Sequence, residues 1–400
     1  MERPVARPLE PVPIQYGGST MIALRDPSGL SERIIMLQPA AYTLLQFMDG
    51  SNTREEILEK FQAWSGVILR RNLLDDLLEQ LEANLVLDSP QARLALDRRV
   101  HRPAAHAGAA YPADRRELRL FLDGLLALRK NQTPATTGMS LVATVAPHID
   151  LQRGASCYSV AYNELIAHAI PQRTFVVLGI SHALSRSPFI LTRKSFQTPL
   201  GPVPTDQEFV GELADACEFD VFLDEYNHFG EHSVEFQAVL LRHVYPDAAL
   251  KIVPVLCGSF HRPLLEGGSP RDIPGVASFL AALRGALQKR PGEAFVLASV
   301  DLAHVGERFG GSALSEEQLG ELAAKDRDSL LRAVEGDAEG FFATLQADRG
   351  ERNYCGTSAI YTMLEVLGNP RGQLHRYDQC NEPGNASCVT VAAAGYYSPP

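Results

Sequence analysis

The chain has 400 residues, a 45% apolar fraction and a formal net charge of −11. That length favours two domains over one, and the acidic balance excludes a general nucleic-acid binder, which needs concentrated positive charge against phosphates. Arg70-Arg71 and Arg98-Arg99 read as solvated faces. No run approaches ~18 apolar residues, so no membrane span is expected. The Pro-rich start (MERPVARPLEPVPIQ) lacks the apolar core of a signal peptide. Together these predict a cytoplasmic protein whose six cysteines are reduced thiols rather than a disulfide framework.

In chain order, residues 1–17 read as a disordered Pro-rich tail. Residues 18–90 form a small separate unit. Met21–Arg25 and Arg33–Leu37 bracket the turn signal Asp26-Pro27-Ser28-Gly29, predicting a hairpin. Pro39 opens a helical pattern that stops at Asp49-Gly50. Thr53-Arg54-Glu55-Glu56 fits a capping box ahead of a buried stripe of Ile57, Leu58, Phe61 and Trp64. A third helix spans about 72–83, and Leu85-Val86-Leu87 closes the unit as a short strand. Residues 91–107, rich in Arg, His and Ala, read as a linker in which His101 and His106 are exposed.

From residue 108 the texture changes. Apolar β-type runs (141–146, 174–180, 251–256, 295–300 and 388–397) alternate with helical patterns. Runs apolar throughout predict strands buried on both faces, hence an α/β domain with a mixed, largely parallel sheet flanked by helices.

Three of those strands end alike. Residues 141–147 run into His148-Ile149-Asp150, residues 175–180 into Ser181-His182, and residues 295–300 into Asp301-Leu302-Ala303-His304. Ligands of open α/β sheets bind beyond the carboxyl ends of strands, and imidazole suits iron, copper and zinc. Asp301 either orients an imidazole through its second N–H or caps a helix start. Cys355, just before an apolar helix, has its thiolate favoured by the free N–H groups there, unlike the other five cysteines. Cys157, Cys217, Cys257 and Cys388 read as structural, and Cys380 is undecided. His232 and Glu235 sit one turn apart at a helix start, which fits either pocket residues or a capping arrangement. Asp150 flanks the same pocket. His168, His228, His243, His261 and His375 lack such context and read as surface or linker residues.

The phrases Ala110-Tyr111-Pro112, Ala146-Pro147-His148-Ile149-Asp150, Gly179-Ile180-Ser181-His182, residues 199–206 (PLGPVPTD), residues 232–237 (HSVEFQ), residues 299–304 (SVDLAH) and Tyr354-Cys355-Gly356, in this order, resemble the Memo family. With its extra N-terminal module, which resembles a PqqD-like winged-helix, peptide-recognising fold, the chain is similar to the form called AmmeMemoRadiSam system protein B. The resemblance implies a fold similar to class III extradiol dioxygenases and an association with a radical-SAM protein and an AMMECR-type protein. Residue by residue, it implies a metal at His148, His182 and Cys355, with His304 as acid/base and Asp301 beside it. Those dioxygenases complete a two-histidine site with a carboxylate. Cys355 in that place is softer and itself oxidisable, which argues against ring cleavage.

The sequence therefore supports two functions. One is metal-dependent redox chemistry, with iron or copper rather than zinc and no nucleotide cofactor, on a small or peptide-borne substrate. The other is a non-catalytic protein that binds a peptide or copper through a vestigial site, with the N-terminal module taking the peptide.

Overall fold

The computed structural model describes residues 2–31, 33–129, 139–168, 174–246, 249–368 and 370–398. It divides into two compact units, 1–105 and 106–400.

In the first unit, strands β1 (Glu10–Tyr16), β2 (Ser19–Arg25) and β3 (Ile35–Leu37) form an antiparallel sheet in that order. The expected β2–β3 hairpin is present, with Ile22 opposite Leu37. β1 corrects the expected tail. Tyr16 pairs with Ser19 across Gly17-Gly18, both at positive φ, as a two-residue hairpin turn requires. Arg7, also assigned to that tail, is buried against Asp26 at 2.7 Å. Helices Pro39–Gln46, Arg54–Ser65, Arg71–Ala83 and Pro90–Asp97 follow. The capping box of Thr53 and Glu56 forms as expected. Ile57 and Phe61 are buried behind it, whereas Trp64 is 59% exposed rather than part of the stripe. Residues 85–87 form an isolated bridge from Ala6 to Leu87, not a strand. Ser89 caps a real helix, Pro90–Asp97, where a linker was expected.

In the second unit, eight strands make one mixed sheet among the described residues. They are β4 (Ser140–Ala146), β5 (Thr174–Ile180), β6 (Phe189–Leu191), β7 (Lys251–Cys257), β8 (Ala294–Ser299), β9 (His304–Gly306), β10 (Arg371–Asn381) and β11 (Ser387–Ser398). The order is β9-β11-β4-β8-β5-β7-β6, with β10 also on β11. Strands β4, β8, β5 and β7 are parallel, in register Val296 to Ala143, Phe295 to Phe175 and Phe175 to Ile252. The flanking pairs are antiparallel. The expected α/β class therefore holds.

The central strands are buried on both faces, because alternate side chains point to opposite sides. Phe175, Val177, Phe295 and Leu297 enter one core, and Val176, Leu178, Val296 and Ala298 enter the other. Each core is covered by helices, so these strands carry no polar alternation. The consequence for function is positional. β8 lies between β4 and β5, so the residues just past all three strands meet at one edge of the sheet.

Candidate metal centre

His148 lies two residues beyond β4, His182 two beyond β5 and Asp301 two beyond β8. Cys355 approaches from the loop before helix Thr357–Leu367. Backbone bonds fix that approach: Cys355 N–H donates to Leu302 O at 2.9 Å, and Gly356 N–H donates to Asp301 O at 2.8 Å. Asp301 Oδ1 accepts from the backbone N–H groups of His148 and Ile149, both at 2.9 Å. Asp301 takes neither of its two expected roles: it caps no helix and does not accept the second N–H of the His148 ring, but ties the β4 and β8 ends together, with Oδ2 3.7 Å from His148 Nε2.

The helix His232–Val244 locks the third strand end. Ser233 Oγ accepts from Ile180 N–H at 3.0 Å, and Gln237 Nε2 donates to Pro147 O and Ser299 Oγ at 2.8 Å each. The helix passes so close to β5 that a Cβ on Gly179 would lie 2.6 Å from Ser233 Oγ and 2.7 Å from Val234 Cγ2. Glycine is therefore required there for space.

Cys355 Sγ lies 3.3 Å from His148 Nε2 and 3.6 Å from His182 Nε2. These three residues offer donor atoms within 4.8 Å of one another. His148 Nδ1 is 2.9 Å from the carbonyl of Ser299. A carbonyl can only accept, so Nδ1 carries the proton and Nε2 is left toward the sulfur. His182 Nδ1 is 3.0 Å from both oxygens of Glu231, with the same consequence. His148 is 1% exposed, whereas the side chain of His182 is 42% exposed.

Burial pushes the His148 imidazolium down, but Asp301 and the Cys355 sulfur more than offset this and raise it to about 9. Burial likewise opposes charge on His182, and Glu231 overcomes it, so His182 is also raised. Burial pushes the Cys355 thiol up, yet the imidazoles of His148 and His182 hold it at about 6. The neighbouring histidines, more than the helix end invoked from sequence, favour the thiolate.

The other expected residues are placed unequally. His304 lines a cavity of about 360 Å³ together with His182 and Cys355. Its Nδ1 is 3.1 Å from Leu302 O, and its ring packs edge-on against Phe309. His232 stacks on His182, centroids 4.9 Å apart and 17° between planes, and burial lowers it to about 4. Glu235 turns away from the trio: it accepts from His106 N–H at 3.0 Å, lies 2.9 Å from His106 Nδ1, and takes the Tyr111 hydroxyl. Asp150 pairs with Arg153 at 2.5 Å instead.

Several readings need correction. His106, expected in an exposed linker, is bound to buried Glu235. His228 is buried, with Nε2 3.1 Å from Ile190 O. The His375 side chain is buried 2.6 Å from Glu164. His261 is exposed, as its surface reading has it, and it also lines the same cavity as Cys355. Glu231 and Gln237 escaped the sequence reading. Their phrase (EHSVEFQ) was visible, but nothing in it says that the helix start meets β5.

The family signature of Memo-like protein matches residues 102–397. The chain belongs to the Memo family. It is similar to the MEMO1 family protein of Aquifex aeolicus, 26% identical over 96% of this chain and 97% of that one. It is also similar to the MEMO1 family protein of Thermus thermophilus, 28% identical over 83% and 95%. The memo-1 homolog of Caenorhabditis elegans is 29% identical over 53% of this chain and 55% of its own length. An uncharacterized Escherichia coli K12 structure aligns at TM-score 0.33 and 14% identity, over 63% of this chain and 99% of that one. At that score it bears on neither fold nor function.

Proposed function

We propose that this Memo-family protein binds a redox-active transition metal, iron or copper, through His148 Nε2, His182 Nε2 and Cys355 Sγ, and uses it on a small or peptide-borne substrate. The observation that carries the reading is the convergence of two imidazoles and a thiolate within 4.8 Å beside a cavity of about 360 Å³. The donor set fits such a metal. Imidazole and thiolate together suit copper, iron or zinc and disfavour magnesium and calcium, which take oxygen ligands. Bound there, the metal would supply one-electron redox chemistry and Lewis acidity.

The chain's own residues would do the rest. Asp301 and Ser299 hold the His148 loop and ring. His304, whose Nδ1–H is committed to Leu302 O, presents its other nitrogen as a proton carrier for substrate in the cavity. His232 forms a wall of the centre.

A second reading, metal or peptide binding without turnover, is favoured by Cys355 itself, because the dioxygenases that the sequence resembles would hold a carboxylate where this chain offers a thiolate. Both readings include a radical-SAM protein and an AMMECR-type protein as partners, with the N-terminal unit taking a peptide. The Aquifex relative aligns over 96% of the chain, so its similarity extends into that unit. Loss of peptide binding on deletion of residues 1–95 tests it. Metal analysis of wild type, His148→Ala and Cys355→Ala, purified anaerobically without chelator, tests the centre. Metal bound by wild type and lost from both variants supports it, and absence of iron and copper from wild type overturns it. Oxygen uptake with a substrate by metal-loaded wild type favours the first reading, and its absence favours the second.

A further inference from the structure

We infer that Glu231 is the positioning carboxylate of this centre: one buried side chain that sets the tautomer and orientation of His182 and holds His232 stacked against it. The inference rests on the metal reading above. Glu231 is 5% exposed and sits at the N-cap of helix His232–Val244, where its Oε1 accepts from Ser233 N–H at 2.9 Å. Its Oε2 accepts from the His182 backbone N–H at 3.0 Å. Both oxygens lie 3.0 Å from His182 Nδ1, and Oε1 is 3.2 Å from His232 Nδ1.

A charged carboxylate nearly removed from water is costly unless several donors satisfy it, and Glu231 collects donors from two chain segments. The site thereby treats its two imidazoles differently. His148 is backed by a neutral carbonyl, Ser299 O. His182, more open to solvent, is backed by a full negative charge. A carboxylate on the far nitrogen increases the donor strength of the near one and restrains ring rotation. Stacking at 4.9 Å passes the same restraint to His232.

His182, Glu231 and His232 also offer ligand atoms within 4.8 Å of one another, so a second metal there is the competing interpretation. Hydrogen bonding wins because Glu231 already accepts two backbone N–H groups, and His182 Nδ1 must keep its proton for Nε2 to face Cys355.

The test separates charge from capping. Cu(I) is titrated anaerobically into full-length wild type, Glu231→Gln, Glu231→Asp and Glu231→Ala against a chromophoric chelator, and thermal unfolding of each metal-free protein is followed. Gln keeps an acceptor for Ser233 N–H but removes the charge. Its NH2 then faces the His182 backbone N–H, which loses its buried acceptor at a cost in stability, so we expect its Cu(I) affinity to fall about 10- to 100-fold with Tm lowered but the fold retained. Asp keeps charge and cap at shorter reach and should recover part of the affinity that Ala loses. Should Gln fail to fold, the Asp-against-Ala comparison decides. Wild-type affinity in Glu231→Gln, or equal affinities of Asp and Ala, overturns the inference while leaving the metal reading intact. A second Cu(I) equivalent in wild type that is lost in Glu231→Gln also overturns it, in favour of a second metal site. If wild type binds neither Cu(I) nor, in a parallel titration, Fe(II), the metal reading fails and takes this inference with it.

Discussion

Cys355 Sγ lies 3.3 Å from His148 Nε2 across a sequence separation of 207 residues. The contact exists because β4 and β8 are neighbours in the sheet and the Cys355 loop is hydrogen-bonded to the turn after β8. Thiolate and imidazole side by side set the charge state of the metal-free centre, and they determine what a metal must displace.

Replacing that thiolate with a carboxylate changes metal preference. Cys355→Asp supplies the hard oxygen ligand of a 2-His-carboxylate site. Its Cu(I) affinity should fall by at least tenfold while Fe(II) binding persists, as read by anaerobic titration. Unchanged Cu(I) affinity would remove Cys355 from the ligand set.

Metal binding should release protons. At pH 7 in the metal-free protein, His148, raised to about 9, is protonated, and so is His182, which is also raised. Cys355, held at about 6, is already a thiolate. Ligation at Nε2 expels the imidazole protons but none from the thiol. Calorimetric titration at pH 7 in buffers of different ionisation enthalpy should show about two protons released, with affinity rising as pH climbs from 6 toward 9. Fold stability should hardly register the His148–Cys355 pair. The unfolded pair sheds protons near 6.5 and 9.0, the folded pair near 6 and 9, so both states hold nearly equal numbers of protons at each pH.

Asp301→Ala leaves the backbone N–H groups of His148 and Ile149 without their acceptor. Each buried orphan costs about 1–3 kcal/mol, so urea unfolding should show a loss in that range or above it. Asp301→Asn keeps an acceptor oxygen and should be milder. Equal losses would show that these two bonds contribute little.

Gly179→Ala drives a methyl group into Ser233 and Val234. The helix start must shift, at about 1–3 kcal/mol, and the metal site should loosen with it because the same helix carries Glu231 and His232. A Tm equal to wild type would contradict that packing.

The parallel sheet and the three strand ends were legible in the sequence because strands buried on both faces leave uninterrupted apolar runs. The polar residue that ends each run therefore stands out. β1 was illegible for the opposite reason. Pro11 and Pro13 argue against a strand, yet β1 is an edge strand, where a missing N–H faces outward at little cost. Glu231 resembled an ordinary helix-start acid, since its partner His182 is 49 positions away. His106 lay in an Arg- and Ala-rich stretch that reads as linker until Glu235 is seen to face it. The chemistry of single residues was readable locally, whereas the pairs depend on which elements meet.

The most direct test of the centre is the metal content of full-length protein purified anaerobically without chelator, measured beside His148→Ala, His182→Ala and Cys355→Ala. The proposed centre predicts near-stoichiometric iron or copper in wild type and loss of at least nine-tenths of it in each variant. Folded wild type that takes up neither iron nor copper, or variants that retain the metal in full, would contradict it.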